Sequence, residues 1–253
     1  MVVLGCIVKL CRNVEAGSVR IPRRCSSNIT TQFVTVEDRK IHVAQTGRGD
    51  KALLLLPGAL GSALSDLKPQ LEGLDGEKLT VVGWDPPGYG QSRPPARRWE
   101  NFFREDAEMA VKTMTALGHH KFSLAGWSDG GITALCAAAK FPHNIDKLVV
   151  WGSNAYISQW DIDNIDQVSD VSKWSERMRK PMEEMYGDSF PSLWSGWCQA
   201  YKVLKLDIRF FPTVLCYVSG LFHQARWRYL RTGSIQHHGP HSRHTRHEGR
   251  DGG

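Results

Sequence analysis

A chain of 253 residues, 41% apolar and 23% charged, is long enough for one large α/β domain with a buried core and only barely for two small ones. No apolar run approaches the roughly 20 residues that a membrane span requires, so no membrane association is expected. The net charge of +6 sits at the ends, +4 over residues 1–32 and +4 over residues 221–253, leaving about −2 for the middle; with no basic face on folded structure, nucleic acid is not an expected partner.

In chain order, the first 32 residues carry Lys9, Arg12, Arg20, Arg23 and Arg24 against the single acid Glu15, with Ser and Thr in SSNITT. This is the composition of a mitochondrial presequence, with a disordered arm as the alternative, and mitochondrial localisation is the expectation. Phe33 to Glu37 and Lys40 to Gln45 read as β-rich runs joined at Asp38-Arg39, an opening antiparallel hairpin. ALLLLPG, an unbroken apolar run closed by Pro57-Gly58, fits a strand buried on both faces of a mainly parallel sheet. LTVVGWD (79–85), KFSLAGW (121–127) and KLVVWG (147–152) repeat that signature, with helical patterns over Asn101 to Gly118 and Gly131 to Phe141 between them. Strand and helix therefore alternate, as in βαβ units.

After Trp151 a polar, tryptophan-containing stretch reads as an inserted helical cap. From about Phe190 clear periodicity fades, except for FPTVLCYVSG, which reads as one more strand. The closing SIQHHGPHSRHTRHEGRDGG has almost no apolar residues and is expected to be disordered. The division is thus an arm over 1–32, a core over 33–153, a cap over 154–200 and a divergent segment over 201–253, disordered from about 233. The six cysteines form neither C-x-x-C pairs nor a secreted framework, so reduced thiols are expected, with Cys136 buried in ALCAAA.

The strongest chemical signal is Gly126-Trp127-Ser128-Asp129-Gly130-Gly131, a G-x-S-x-G where a buried strand passes into a small-residue helix. A serine hydroxyl is a weak nucleophile, and a tight strand-to-helix turn exposes its oxygen and aims the helix N-terminus at developing negative charge. Such a turn tolerates little bulk two residues to either side, where Gly126 and Gly130 stand. A tetrahedral oxyanion needs two backbone N–H donors. One is expected from Asp129, just after the serine, and the other from Ala59 in the Leu56-Pro57-Gly58-Ala59-Leu60-Gly61 turn. The Asp129 carboxylate also suits a cationic substrate group such as an ammonium. The plainer alternative is a first-turn acid stabilised by the helix dipole. DPPGYGQS (85–92) is a turn-forming loop whose glycines do not make a G-x-G-x-x-G phosphate cradle, so no dinucleotide and no other cofactor is expected.

Taken together, LLLLPGALGS, VVGWDPPGYGQSRPP, LAGWSDGGITALCAAAKFP and DVSKWSERMRKP resemble the oxyanion loop, strand-four loop, nucleophile turn and cap of the α/β-hydrolase superfamily, and more closely of the biphenyl hydrolase-like (valacyclovir hydrolase) proteins. The resemblance covers residues 33 to about 190. It implies an α/β-hydrolase fold with helices on both faces of the sheet and a mitochondrial serine hydrolase acting on a small-molecule α-amino acid ester; a monomer is the separate expectation. Ser128 would be its nucleophile, and Asp129 would grip the substrate's amino group. It also implies a triad acid after a strand ending in Gly-x-x-Asp and a triad histidine in a Gly-x-His loop, and neither is found. Gly220 is followed by Leu-Phe-His-Gln, and strand six ends at Ser153 and Asn154. His223 and the tail histidines His237, His238, His241, His244 and His247 lie where no fixed geometry is expected, and they fit neither a general base nor a dedicated metal site. The alternative function is therefore a catalytically impaired, truncated hydrolase with C-terminal strands missing, one exposed sheet edge and marginal stability. A further departure is Pro87, where related hydrolases commonly carry Arg, which puts the packing of that loop in question.

Overall fold

The computed structural model describes residues 28–204. Six strands form one sheet: β1 (Thr30–Val36), β2 (Arg39–Thr46), β3 (Lys51–Leu56), β4 (Leu79–Trp84), β5 (Phe122–Trp127) and β6 (Ile145–Trp151), in the order β1-β2-β4-β3-β5-β6. β1 pairs antiparallel with β2 and β2 with β4, while the β3–β4, β3–β5 and β5–β6 pairings are parallel. This is the mainly parallel α/β sheet that the apolar runs predict. The hairpin is longer than expected: β1 begins at Thr30, so residues 30–32 belong to the sheet rather than to the N-terminal arm. Residues 1–27 of that arm, His223, the tail histidines and FPTVLCYVSG lie outside the described residues.

Apolar packing covers both faces of the sheet. On one face Leu54, Leu56, Val82, Trp84 and Leu124 pack with helices α3 (Phe102–Ala116) and α4 (Asp129–Lys140). On the other, Leu55, Val81 and Ala125 pack against α1 (Ala63–Asp66) and α2 (Lys68–Gly73) through Ala63, Leu67 and Leu71. Burial on both sides explains why β3 and β4 read as unbroken apolar runs and not as alternating ones. Among the described residues β6 pairs only with β5, and its Val149 and Trp151 are exposed. No helix of the described residues is long and apolar enough to cross a membrane.

Beyond Trp151 the cap consists of α5 (Gln159–Val168), α6 (Glu176–Tyr186) and α7 (Phe190–Val203). Ser158 starts α5 with a capping box: its hydroxyl accepts from the Asp161 N–H, and the Asp161 carboxylate accepts from the Ser158 N–H. The third helix corrects the reading that order fades at Phe190. Phe190, Trp194, Trp197 and Tyr201 recur every three or four residues and form one buried stripe. Trp174 and Trp194 both donate their indole N–H to Val168 O at 2.9 Å, and Trp194, Trp197 and Tyr201 stack in sequence at 4.7 and 5.0 Å. This ladder satisfies a carbonyl at the end of α5 and joins the helices into one layer.

The 85–92 loop is packed despite Pro87. Asp85, just past the end of β4, accepts from the Ala63 amide at 2.8 Å, the Gln91 amide at 2.8 Å and the His42 Nδ1–H at 3.1 Å. One buried carboxylate thereby ties β2, the start of α1 and its own loop together. The Pro87 carbonyl is held by Arg97 at 2.8 Å. Arg97 is itself buried in a bidentate pair with Asp106 at 2.6 and 2.8 Å, its guanidinium 4.4 Å over the Tyr89 ring. Burial works against the Arg97 charge, and the groups around it, Asp106 foremost with Tyr89 and Asp129, together more than offset it.

Candidate active site

β5 ends at Trp127 and α4 begins at Asp129, so Ser128 alone makes the turn. Its backbone sits at φ 53°, ψ −120°, a conformation costly for a residue with a Cβ and sustained only by its surroundings. The surroundings are glycine. A Cβ on Gly126 would lie 2.3 Å from Gly130 O, and a Cβ on Gly130 would lie 2.2 Å from Leu56 O. The Ser128 N–H donates to Trp151 O at 3.0 Å, which anchors the turn to the end of β6. Ser128 itself is half-buried.

The Pro57-Gly58 corner lies directly against this turn. A Cβ at Gly58 would stand 3.4 Å from the Ser128 Cβ and 2.8 Å from the Trp127 ring. Ser128, Asp129 and the turn carrying Ala59 are thus brought together, with Gly58 in close approach to the Trp127 and Ser128 side chains. Neither the Ala59 amide nor the Asp129 amide donates to an acceptor among the described residues. One such amide in the first turn of α4 and another in the adjoining 57–61 turn are the kind of donors that a negatively charged oxygen requires.

Asp129 occupies the first turn of α4, but it is not a solvated acid at a helix end. Its side chain is buried and accepts from the Trp197 indole N–H at 2.6 Å. Burial pushes its pKa up to about 7, and the Trp197 hydrogen bond and the Arg97 charge only partly pull it back. A cavity of about 10 Å³, room for one water, is lined by Pro57, Gly58, Tyr89, Arg97, Asp106 and Asp129. A larger group reaching the carboxylate must therefore displace Trp197 or share its hydrogen bond. Trp197→Phe keeps an aromatic ring, though a smaller one, and removes the donor; the Asp129 pKa is expected to rise by about one unit further, read by carboxyl carbon NMR titration. An unchanged titration would remove Trp197 from the account.

Sequence reasoning missed Trp197, because it lies 68 residues from Asp129 and its own stretch read as aperiodic. It also passed over His42 and Asp85. That pair opens on a separate cavity of about 180 Å³ with Ser62, Gly90 and Arg93, and its bonds tie chain segments together. Among the described residues the Ser128 hydroxyl has no hydrogen-bond partner, and no group of three or more His, Cys, Asp or Glu is placed to hold a metal ion.

Residues 51–201 match the family model described as alpha/beta hydrolase fold, so the match runs past Phe190 to the end of the aromatic stripe. A human protein named Serine hydrolase BPHL is 50% identical over 181 residues, which are 71% of this chain and 62% of that one. Mouse Serine hydrolase BPHL is 51% identical over 160 residues, 63% of this chain and 55% of that one. The chain spans about three fifths of the length of these curated relatives. Among solved structures, a 2-hydroxy-6-oxo-6-phenylhexa-2,4-dienoate hydrolase from Rhodococcus sp. strain RHA1 superposes with a TM-score of 0.57 at 18% identity, covering 70% of this chain and 73% of that one. At that identity the likeness concerns the fold alone.

Proposed function

Because the chain belongs to the α/β-hydrolase fold family, we propose that it is a serine ester hydrolase working through an acyl-enzyme on Ser128, with α-amino acid esters as substrates. The observation that carries this reading is the Ser128 backbone at φ 53°, held between glycines whose Cβ atoms would strike backbone. A surface serine at a helix start needs no such conformation.

In the proposed reaction Ser128 Oγ attacks the ester carbonyl carbon and the carbonyl electrons move to oxygen. The resulting oxyanion is held by the Ala59 and Asp129 N–H groups, a contribution of about 3 to 4 kcal/mol per donor in comparable sites. The ester C–O bond breaks and the alcohol leaves with the proton that the Ser128 hydroxyl gave up; water then attacks the acyl-enzyme, its hydroxide joins the acyl group to release the amino acid, and its proton returns to Ser128 Oγ. The Asp129 carboxylate would pair with the substrate ammonium in its dry surroundings, in exchange for the Trp197 indole. The composition of residues 1–32 supports mitochondrial import of this enzyme.

A second reading is a catalytically impaired hydrolase that binds an ester without turning it over. It is favoured by the Ser128 hydroxyl having no hydrogen-bond partner among the described residues, since the attacking oxygen must give its proton to a base. A fluorophosphonate probe separates the two. The first reading expects covalent labelling of the folded chain at Ser128 and none of Ser128→Ala; a folded chain that stays unlabelled leaves only the second.

A further inference from the structure

The turn beside Ser128 is held by groups that the proposed reaction does not use. Within it Leu60 stands at φ 58°, the left-handed region that disfavours a residue with a Cβ. Inside the turn the only bond is Gly61 N–H to Gly58 O at 3.0 Å. The remaining support comes from two sides. On the core side the Gly58 N–H donates to Asp66 Oδ2 at 3.0 Å, and a Cβ on Gly61 would fall 2.2 Å from that same oxygen. The carboxylate thus fills the hollow of the turn. On the cap side the Tyr186 hydroxyl donates to Leu60 O at 2.6 Å while accepting from the Gly90 N–H at 3.1 Å. Arg93 lies 4.5 Å over the Tyr186 ring and donates to Gly90 O and Met185 O, so the tyrosine is itself fixed at the end of α6.

We infer that Tyr186 is a positioning residue: from the cap it pins the Leu60 carbonyl, and with Asp66 opposite it holds the 58–61 turn in the shape that presents the Ala59 amide to Ser128. Released from Tyr186, Leu60 relaxes toward negative φ and turns the two peptide planes that flank it; one of them carries the Gly61 N–H, whose bond to Gly58 O holds the Gly58–Ala59 peptide and with it the Ala59 N–H. The geometry stands by itself, and its catalytic consequence rests on the serine-hydrolase reading.

The test compares the full chain with Tyr186→Phe, which keeps the ring under Arg93 and loses only the hydroxyl. Amide hydrogen exchange at Gly58 and Gly61 is expected to quicken about tenfold while the β3 and β5 amides keep their protection. Fluorophosphonate labelling of Ser128 is expected to slow by a similar factor, with the probe's reversible binding constant unchanged. Asp66→Asn, which keeps an acceptor for the Gly58 N–H, is expected to exchange as slowly as the parent chain at Gly58, and Asp66→Ala is not. Unchanged exchange at Gly58 and Gly61 in Tyr186→Phe overturns the inference. Protection lost evenly across the sheet overturns it as well, because the tyrosine would then serve global stability, and so does equal exchange in the two Asp66 variants. A parent chain that resists the probe sinks the serine-hydrolase reading, and the exchange measurement still decides the role of Tyr186.

Discussion

Gly130→Ala is expected to cost about 3 kcal/mol or more of stability and to abolish fluorophosphonate labelling at Ser128. The added methyl group would meet Leu56 O at 2.2 Å, the Leu56 carbonyl carbon at 2.5 Å and Pro57 O at 2.5 Å. All three are backbone atoms, so no rotamer can give way. The choice left is to push β3 away from α4 or to unmake the turn. Either moves the Pro57-Gly58 corner off Ser128, which is why probe labelling should fall together with stability. Gly73→Ala is the control: nothing lies within 4 Å of its Cβ position, in α2. There the loss of glycine's backbone freedom should stabilise by about 0.5 to 1 kcal/mol. Urea melts of both variants decide the matter, and a Gly130→Ala chain as stable as its parent would show that the turn is not the tight element described.

These clashes also explain why the site was legible at all. The contact between Gly126 and Gly130 O lies within the turn itself, and the end of β3 lies against Gly130 wherever such a turn follows the neighbouring strand, so the spacing Gly126, Ser128, Gly130 survives as a sequence pattern. The sheet was legible for a similar reason, since strands buried on two faces leave runs such as ALLLLPG that no other short element requires. What stayed hidden was non-local or aromatic. The bond from Trp197 to Asp129 and the bond from Tyr186 to Leu60, 126 residues apart, follow from how the cap lands on the core. Nothing in either local stretch encodes that landing. The α7 stripe was within reach: Phe190, Trp194, Trp197 and Tyr201 keep a helical period, masked by the Pro, Ser and Gly residues between them. Asp66 was masked differently, because an acid in a short polar helix reads as solvated until the turn it supports is seen.

Asp129→Asn is expected to raise stability at pH 8 by up to about 4 kcal/mol while lowering affinity for cationic esters. Burial raises the native carboxyl from its ordinary value of 3.8 to about 7, so between those values the folded chain holds a proton there that the unfolded chain has released. Stability then falls as pH climbs between those values. The penalty is absent below about pH 4, grows through pH 5 and 6, and is complete above pH 7, where the native site must keep a desolvated charge. Asparagine carries no charge to desolvate, and its Oδ1 still accepts the Trp197 N–H in place of the carboxylate oxygen that now lies 2.6 Å away. Thermal melts of the two chains should coincide near pH 4 and separate toward pH 8, with the variant the more stable. The same charge is what an ammonium substrate would neutralise. The affinity advantage of an aminoacyl ester over its uncharged analogue should therefore appear in the parent chain as pH rises through 7 and be absent from the variant at every pH. A parent chain whose melting point does not decline between pH 4 and pH 8 relative to Asp129→Asn would mean that the carboxylate is already solvated or paired in the native state. Its burial under Trp197 would then no longer argue for a cation-binding role.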